Sequence, residues 1–400
     1  MKKALIFSLI FSVFFVKIHA QTLRPAVLVI GNGNAAFAAA LQSAVSGVKT
    51  TILLQAGGFD ISPIQNDINS GIQKTFINKY YNFLQMKEDS PLSGIDKQKA
   101  NNMISIWTDS MANLTIIRNV MWVKAERSGN NWSFRMSDGS TVKPKVLINP
   151  GDKKINEALK IPLSAPHNFT KLDYSSTIYR TSIAAGNNLE STNGTILSLY
   201  QLFLPEQENL VWISDPESML AGQAAGATAA YAAFYDTKTS LSNLKIIQGE
   251  LLHYGLNLMP FSDIAKTDTT WKAIQMVGVT GVLKADIDGK TVKFSPDKLV
   301  TTEEIKQPIK DFYYKAQIWF DDYKDPKITI GAALDMIAYV GNKSLDQMKK
   351  DIEKNWKNSY QFKTELDLNR QINRRELAVL LQTYMPPFNV NVDDKGRVVR

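Results

Sequence analysis

Gly31, Gly33 and Ala36 stand in G-x-G-x-x-A spacing directly after an apolar run at residues 26–30. The run reads as a buried strand. An alanine-rich segment, residues 35–45, follows with helix-forming composition; Gly47 then breaks it before a second apolar run at residues 51–54. Strand, glycine turn, helix, strand is the βαβ unit that binds dinucleotides. The first glycine permits a tight turn, and the second lets a pyrophosphate approach the backbone. The small third residue lets helix and strand pack closely. Free N–H groups and the positive dipole end at the helix start then face the phosphates. Gln55 ends the second strand, where such folds place an acid on the ribose hydroxyls. A glutamine still bonds a hydroxyl there, without charge assistance.

Other chemistry is sparse. The chain has no cysteine, which excludes disulfides, thiolate metal sites and Cys nucleophiles. Beyond residue 20 there are two histidines, His167 and His253, far apart and without metal-ligand spacing, and ordinary roles are favoured for both. No G-x-S-x-G, H-E-x-x-H or P-loop lysine occurs. The pairs Asp321-Asp322 and Asp393-Asp394 read as solvated turns. Tryptophans such as Trp107 and Trp122, and Met103, Met111 and Met121, read as core.

The elements that must position the turn follow in order. Residues 72–86 carry a helical pattern and residues 115–119 read as a strand. Residues 121–127 and 132–136 alternate, with Trp132, Phe134 and Met136 on one face and a turn at Asp138-Gly139, so an antiparallel meander is predicted. Residues 146–149 form a buried strand ended by Pro150-Gly151-Asp152, and residues 209–214 form another. Residues 195–204 have no clear period. Pro216-Glu217 reads as the start of a helix whose small residues, Ala221 to Ala229, permit very close packing.

Four hundred residues suffice for two domains, and 44% hydrophobic with 21% charged residues is a soluble globular composition. The net charge of +8 includes Lys2, Lys3 and Lys17, and the remainder is spread with no basic run of the kind that argues for nucleic acid. Residues 1–20 read as a secretory signal: Lys2-Lys3, an apolar run at 4–16 too short to span a bilayer, and Ala20 before a mature start at Gln21. The expectation is a periplasmic or secreted bacterial protein with no integral membrane segment after cleavage.

Taken together, these segments resemble FAD-dependent oxidoreductases of the glutathione-reductase fold, in the group that carries a GQAAG helix. GNGNAAFAAALQSA resembles the first FAD motif, and AGGFD (56–60) its continuation. DGSTVKPKVLINPGDKKINEALKIPL (138–163) resembles the strand whose consensus ends A-T-G-D, and LYQLFLPEQENLVWIS with MLAGQAAGATAA resembles the last segment. Gln55 replaces the usual acid, Asn149-Pro150 replaces Ala-Thr, and the Gly-Arg and polar loop expected after Ser214 are missing. The resemblance implies an α/β fold: a Rossmann-like FAD/NAD(P)-binding domain at 21–248, parallel sheet plus antiparallel meander, then a mainly helical domain at 249–400. It implies FAD, with Gly31, Gly33, Asn34, Ala35 and Ala36 at the phosphates, Gln55 at the ribose and Gly151-Asp152 near the ribityl phosphate. Gly222 and Gln223 would then face the flavin ring.

Residues 259–304 resemble S-layer homology modules through F-S-D-I, Trp271, Gly278/Gly281, F-S-P-D and Thr301, with echoes at 327–340 and 371–384. Thr301, Thr329 and Asn373 are expected to cap short helices. The reading taken is an exported FAD-dependent oxidoreductase-like protein acting on an unknown small molecule or sugar; the alternatives are a non-catalytic descendant serving as an envelope binding or scaffold protein, and an envelope-binding protein whose C-terminal modules carry the function.

Overall fold

A computed structural model describes residues 21–62, 70–87, 94–161, 169–186, 194–289 and 291–399. The signal-like segment and His167 lie outside the described residues. The chain opens with β1 (Thr22–Leu23), β2 (Val27–Ile30), α1 (Asn34–Val45) and β3 (Thr50–Leu54). Next come α2 (Gly71–Phe83), α3 (Lys97–Thr108) and β4 (Leu114–Arg118). The meander is β5 (Trp122–Ser128), β6 (Asn131–Met136) and β7 (Thr141–Val142), followed by β8 (Val146–Asn149) and α4 (Lys153–Ala158). A small antiparallel sheet joins β9 (Thr170–Lys171), β10 (Ser182–Gly186) and β11 (Thr195–Ser198). Then follow β12 (Leu210–Trp212), α5 (Met219–Phe234) and α6 (Leu244–His253).

The central sheet is parallel throughout, in the order β12-β8-β2-β3-β4. Its strands β12, β8, β2 and β3 are buried on both faces, as parallel strands with covers on both sides must be, and only the edge strand β4 is partly open. Side-chain alternation divides β2: Val27 and Val29 join the core under α1 and α5, while Leu28 and Ile30 join Trp132, Phe134 and Val142 of the meander. The protein is therefore an α/β fold of three layers, helices, Rossmann-like parallel sheet and antiparallel meander, with a mainly helical C-terminal region. Trp132, Phe134 and Met136 share the buried face as their alternation predicts. Met121 is corrected: half of it is exposed, at the edge before β5. Residues 195–204 owe their missing period to a change of structure, a strand to Ser198 and then a 3₁₀ turn.

The C-terminal region contains α7 (Trp271–Gly278), the hairpin β13 (Asp286–Asp288) and β14 (Thr291–Lys293), then α8 (Thr302–Phe312) and α9 (Lys315–Asp322). It ends with α10 (Ile330–Gly341), α11 (Leu345–Asn355) and α12 (Arg374–Tyr384). Thr301, Thr329 and Asn373 cap α8, α10 and α12 as expected, each accepting a backbone N–H three residues on. The residues before these caps form a closed ring of antiparallel bridges: Leu299 with Asn373, Thr301 with Lys327, Thr329 with Gln371. Val300, Ile328 and Ile372 fill its centre, fully buried. The same buried core runs without interruption from Val27 to Val392.

Candidate functional site

The carboxyl ends of parallel strands are where such a sheet presents its ligand-binding loops. Here the loops are the Gly31–Gly33 turn after β2, Gln55–Gly58 after β3, Pro150–Asp152 after β8 and residues 213–218 after β12. Gly31 has φ +151°, so the turn does need a glycine, and Ala36 is the close neighbour its spacing predicts. Apart from Gly222 and Gln223, the sequence-predicted residues thus converge on one crest.

Part of their hydrogen-bonding capacity, however, is already used. The Ala35 N–H, one of the free donors of the α1 terminus, donates to the Pro216 carbonyl at 3.0 Å. Asn34 is fully buried. Its Nδ2 donates to the Ser62 hydroxyl at 3.1 Å and to the Glu217 carbonyl at 3.0 Å, and its Oδ1 accepts the Ser62 N–H at 3.1 Å. The Ser62 hydroxyl in turn donates to the Glu217 carboxylate. The atoms nearest Gly33's open face are the carbonyl oxygens of Pro216 and Asp60. The Pro216 ring also rests against Gly151, whose φ is +81°. Residues 214–218 therefore close over the glycine turn, with Pro216 and Glu217 forming the outer surface.

The electrostatics agree with the geometry. Asp215 and Glu217 bring two carboxyl groups over the turn, and Asp152 adds a third beside Gln55, whose Nε2 donates to it at 3.4 Å. Burial, and secondarily the Glu217 charge, hold the Asp215 carboxyl above the usual range. Asp152 spends its other oxygen capping α4 through the Lys154 N–H, and its backbone is tied to the buried Asn149 side chain. A pyrophosphate needs donors and positive potential; this crest offers acceptors and carboxylates. In this arrangement the side chains around the turn present acceptors, not donors, to a phosphate.

Gly222 and Gln223 serve the interface between helices. A Cβ on Gly222 would lie 2.3 Å from the Ala35 carbonyl oxygen, and one on Gly226 would lie 2.4 Å from that of Ala39, so α5 lies directly on α1. The Gly222 N–H is spent on Ser218. The Gln223 side chain is fully buried; it accepts the Ile72 N–H and donates to Gln42, each at 2.8 Å, joining α2, α5 and α1. Pro216 is also corrected: α5 starts at Met219, with Ser218 as its cap, and Pro216 lies in the loop before it. Ser62, Pro216 and Glu217 were not legible as partners of the turn. The signal was the missing Gly-Arg loop, since the shortened connection brings the chain straight back across it.

Among the described residues no cluster of His, Asp or Glu has metal-ligating geometry, and no helix is long and apolar enough to cross a membrane. His253 is exposed at the end of α6, against Tyr254.

No model of a protein family matches the sequence, and no curated protein does. Among solved structures, the chain is similar to thioredoxin reductase of T. acidophilum at 18% identity, over 32% of this chain and 34% of that one, with a TM-score of 0.21. It is similar to Aquifex aeolicus GidA at 19% identity, over 34% and 25%, with a TM-score of 0.22. Cyclohexanone monooxygenase matches at 15%, over 38% and 29%, with a TM-score of 0.24. The chain spans about a third or less of these proteins, and at such scores the likeness decides nothing about its chemistry.

Proposed function

We propose that this chain is a cofactor-free binding or scaffold protein built on the FAD-dependent oxidoreductase fold. The observation that supports this reading is the Ala35–Pro216 hydrogen bond, which gives one of the N–H groups at the start of α1 to the protein's own backbone. The three carboxylates around the turn act in the same direction. The test is visible absorption of the purified protein, before and after adding FAD, with any released flavin identified after denaturation. A colourless protein that takes up no FAD is expected; a stoichiometric flavin overturns the proposal.

The second reading is the flavin oxidoreductase itself, acting on a small molecule or sugar. It is favoured by the intact glycine turn and by the solvent-exposed position of Pro216 and Glu217, the residues that cover it. Gly31, Gly33, Asn34, Ala35 and Ala36 would then serve the phosphates of FAD, Gln55 the ribose and Gly151-Asp152 the ribityl chain, with Gly222 and Gln223 nearest the ring. Two further proposals rest on sequence. The chain is exported, so the protein recovered outside the cytoplasm starts at Gln21; a start at Met1 refutes this. The capped helices of 249–400 contact the cell envelope, so the protein sediments with cell-wall material; recovery in the supernatant alone refutes that.

A further inference from the structure

The crest is closed, but the molecule has an open cavity of 610 Å³ elsewhere, within the size range of small-molecule sites. Residues 174–180, the Gly281–Lys284 turn, α8 and the last turn of the chain line it. Its walls are built rather than incidental. Arg180 is almost wholly buried; its Nε donates to the Thr280 carbonyl at 2.9 Å, its Nη1 to the Gly396 carbonyl at 3.4 Å, and its Nη2 pairs with Asp311 at 3.3 Å. The guanidinium lies 4.8 Å from the Phe312 ring centre. Thr177 fixes the C-terminal turn by donating to the Lys395 carbonyl at 2.7 Å. Tyr174 and Tyr179 meet edge to face, and the Tyr174 hydroxyl accepts the Ala285 N–H.

The charge on this wall does not balance. Arg180, Lys284, Lys395 and Arg397 line the cavity against one acid, Asp311. Arg180 uses Asp311, and Arg397 uses Asp393 at 2.7 Å. Lys284 has the Tyr174 ring at 5.7 Å, and neither it nor Lys395 has a carboxylate partner among the described residues. Behind the wall the buried Lys245 lies close enough to Arg180 for their charges to interact, and its Nζ has the Gln248 amide oxygen at 3.1 Å and the Phe388 ring at 4.9 Å; the excess at the cavity comes from the lining residues alone. A concave wall with this excess concentrates anions. Beside the cations, Tyr174, Ile178 and Pro308 supply apolar surface for a ring.

We propose that this cavity binds a small ring compound bearing one oxyanion, a phosphate or a carboxylate, with Lys284 and Lys395 at the anion and the 174–178 and Pro308 surface at the ring. The site does not depend on whether the crest accepts a flavin. The test is calorimetric titration of the full chain with phenyl phosphate, inorganic phosphate and benzyl alcohol. Phenyl phosphate is expected to bind more tightly than either part alone, and less tightly as salt is raised. The exposed pair Lys284→Ala/Lys395→Ala is expected to weaken it roughly tenfold while leaving the circular dichroism spectrum unchanged. No binding of phenyl phosphate, or equal binding by the double variant, overturns the site. Equal affinity for inorganic phosphate overturns the ring assignment, and equal affinity for benzyl alcohol overturns the anion assignment.

Discussion

At the residue scale, Gly222 and Gly226 belong to packing rather than to chemistry. Gly222→Ala drives a methyl group into the α1 backbone, and overpacking of this kind costs about 1–3 kcal/mol. Urea unfolding is expected to show that loss. Gly249, in α6, is the control: nothing lies within 4 Å of its missing Cβ, so Gly249→Ala is expected to stabilise by about 0.5–1 kcal/mol. Lys245 gives a pH signature. Burial, and then the Arg180 charge, lower it to about 7, below the roughly 10.4 of a free lysine. Between those values the unfolded chain holds a proton that the folded chain has released, so stability rises with pH across the window. Below it the full cost of burying the charge is felt. Lys245→Met is expected to raise the unfolding midpoint at about pH 6 and to flatten the rise toward about pH 9. A rise that persists in the variant assigns it to another group. Neither residue's role was legible in sequence: a glycine in G-Q-A-A-G reads equally as ligand approach or helix approach, and nothing local marks a lysine for burial.

At the element scale, the sequence is most informative where one local rule suffices. The β2 run, the glycine turn, the 132–136 alternation and the three caps all follow from period or capping chemistry and fold as read. Asn373 adds a reciprocal bond from its own N–H to Glu376, completing a capping box in a buried setting. Asn373→Ala is therefore expected to cost about 1 kcal/mol or more, and Thr329→Ala, whose cap is not reciprocal, less. Chemical unfolding of the two variants checks the order. The sequence fails where two distant segments meet. That Pro216 caps α1 depends on the length of a connection 180 residues away from the turn, and no pattern near either end records it.

At the scale of the whole molecule, the core is continuous from the parallel sheet into the helical region. Hydrogen exchange is expected to show β2 and the Ile372 strand opening at one common denaturant concentration; separate openings refute a single cooperative unit. The ring of bridges before α8, α10 and α12 sharpens this point. Each of its strands pairs with the other two, and α7 lies against α12. Its last member, residues 371–373, is synthesised after both of the others. Until then the first two strands have no ring to close. The ring therefore closes only once residue 373 has been made, and until then the caps of α8 and α10 stand on strands that lack their third partner.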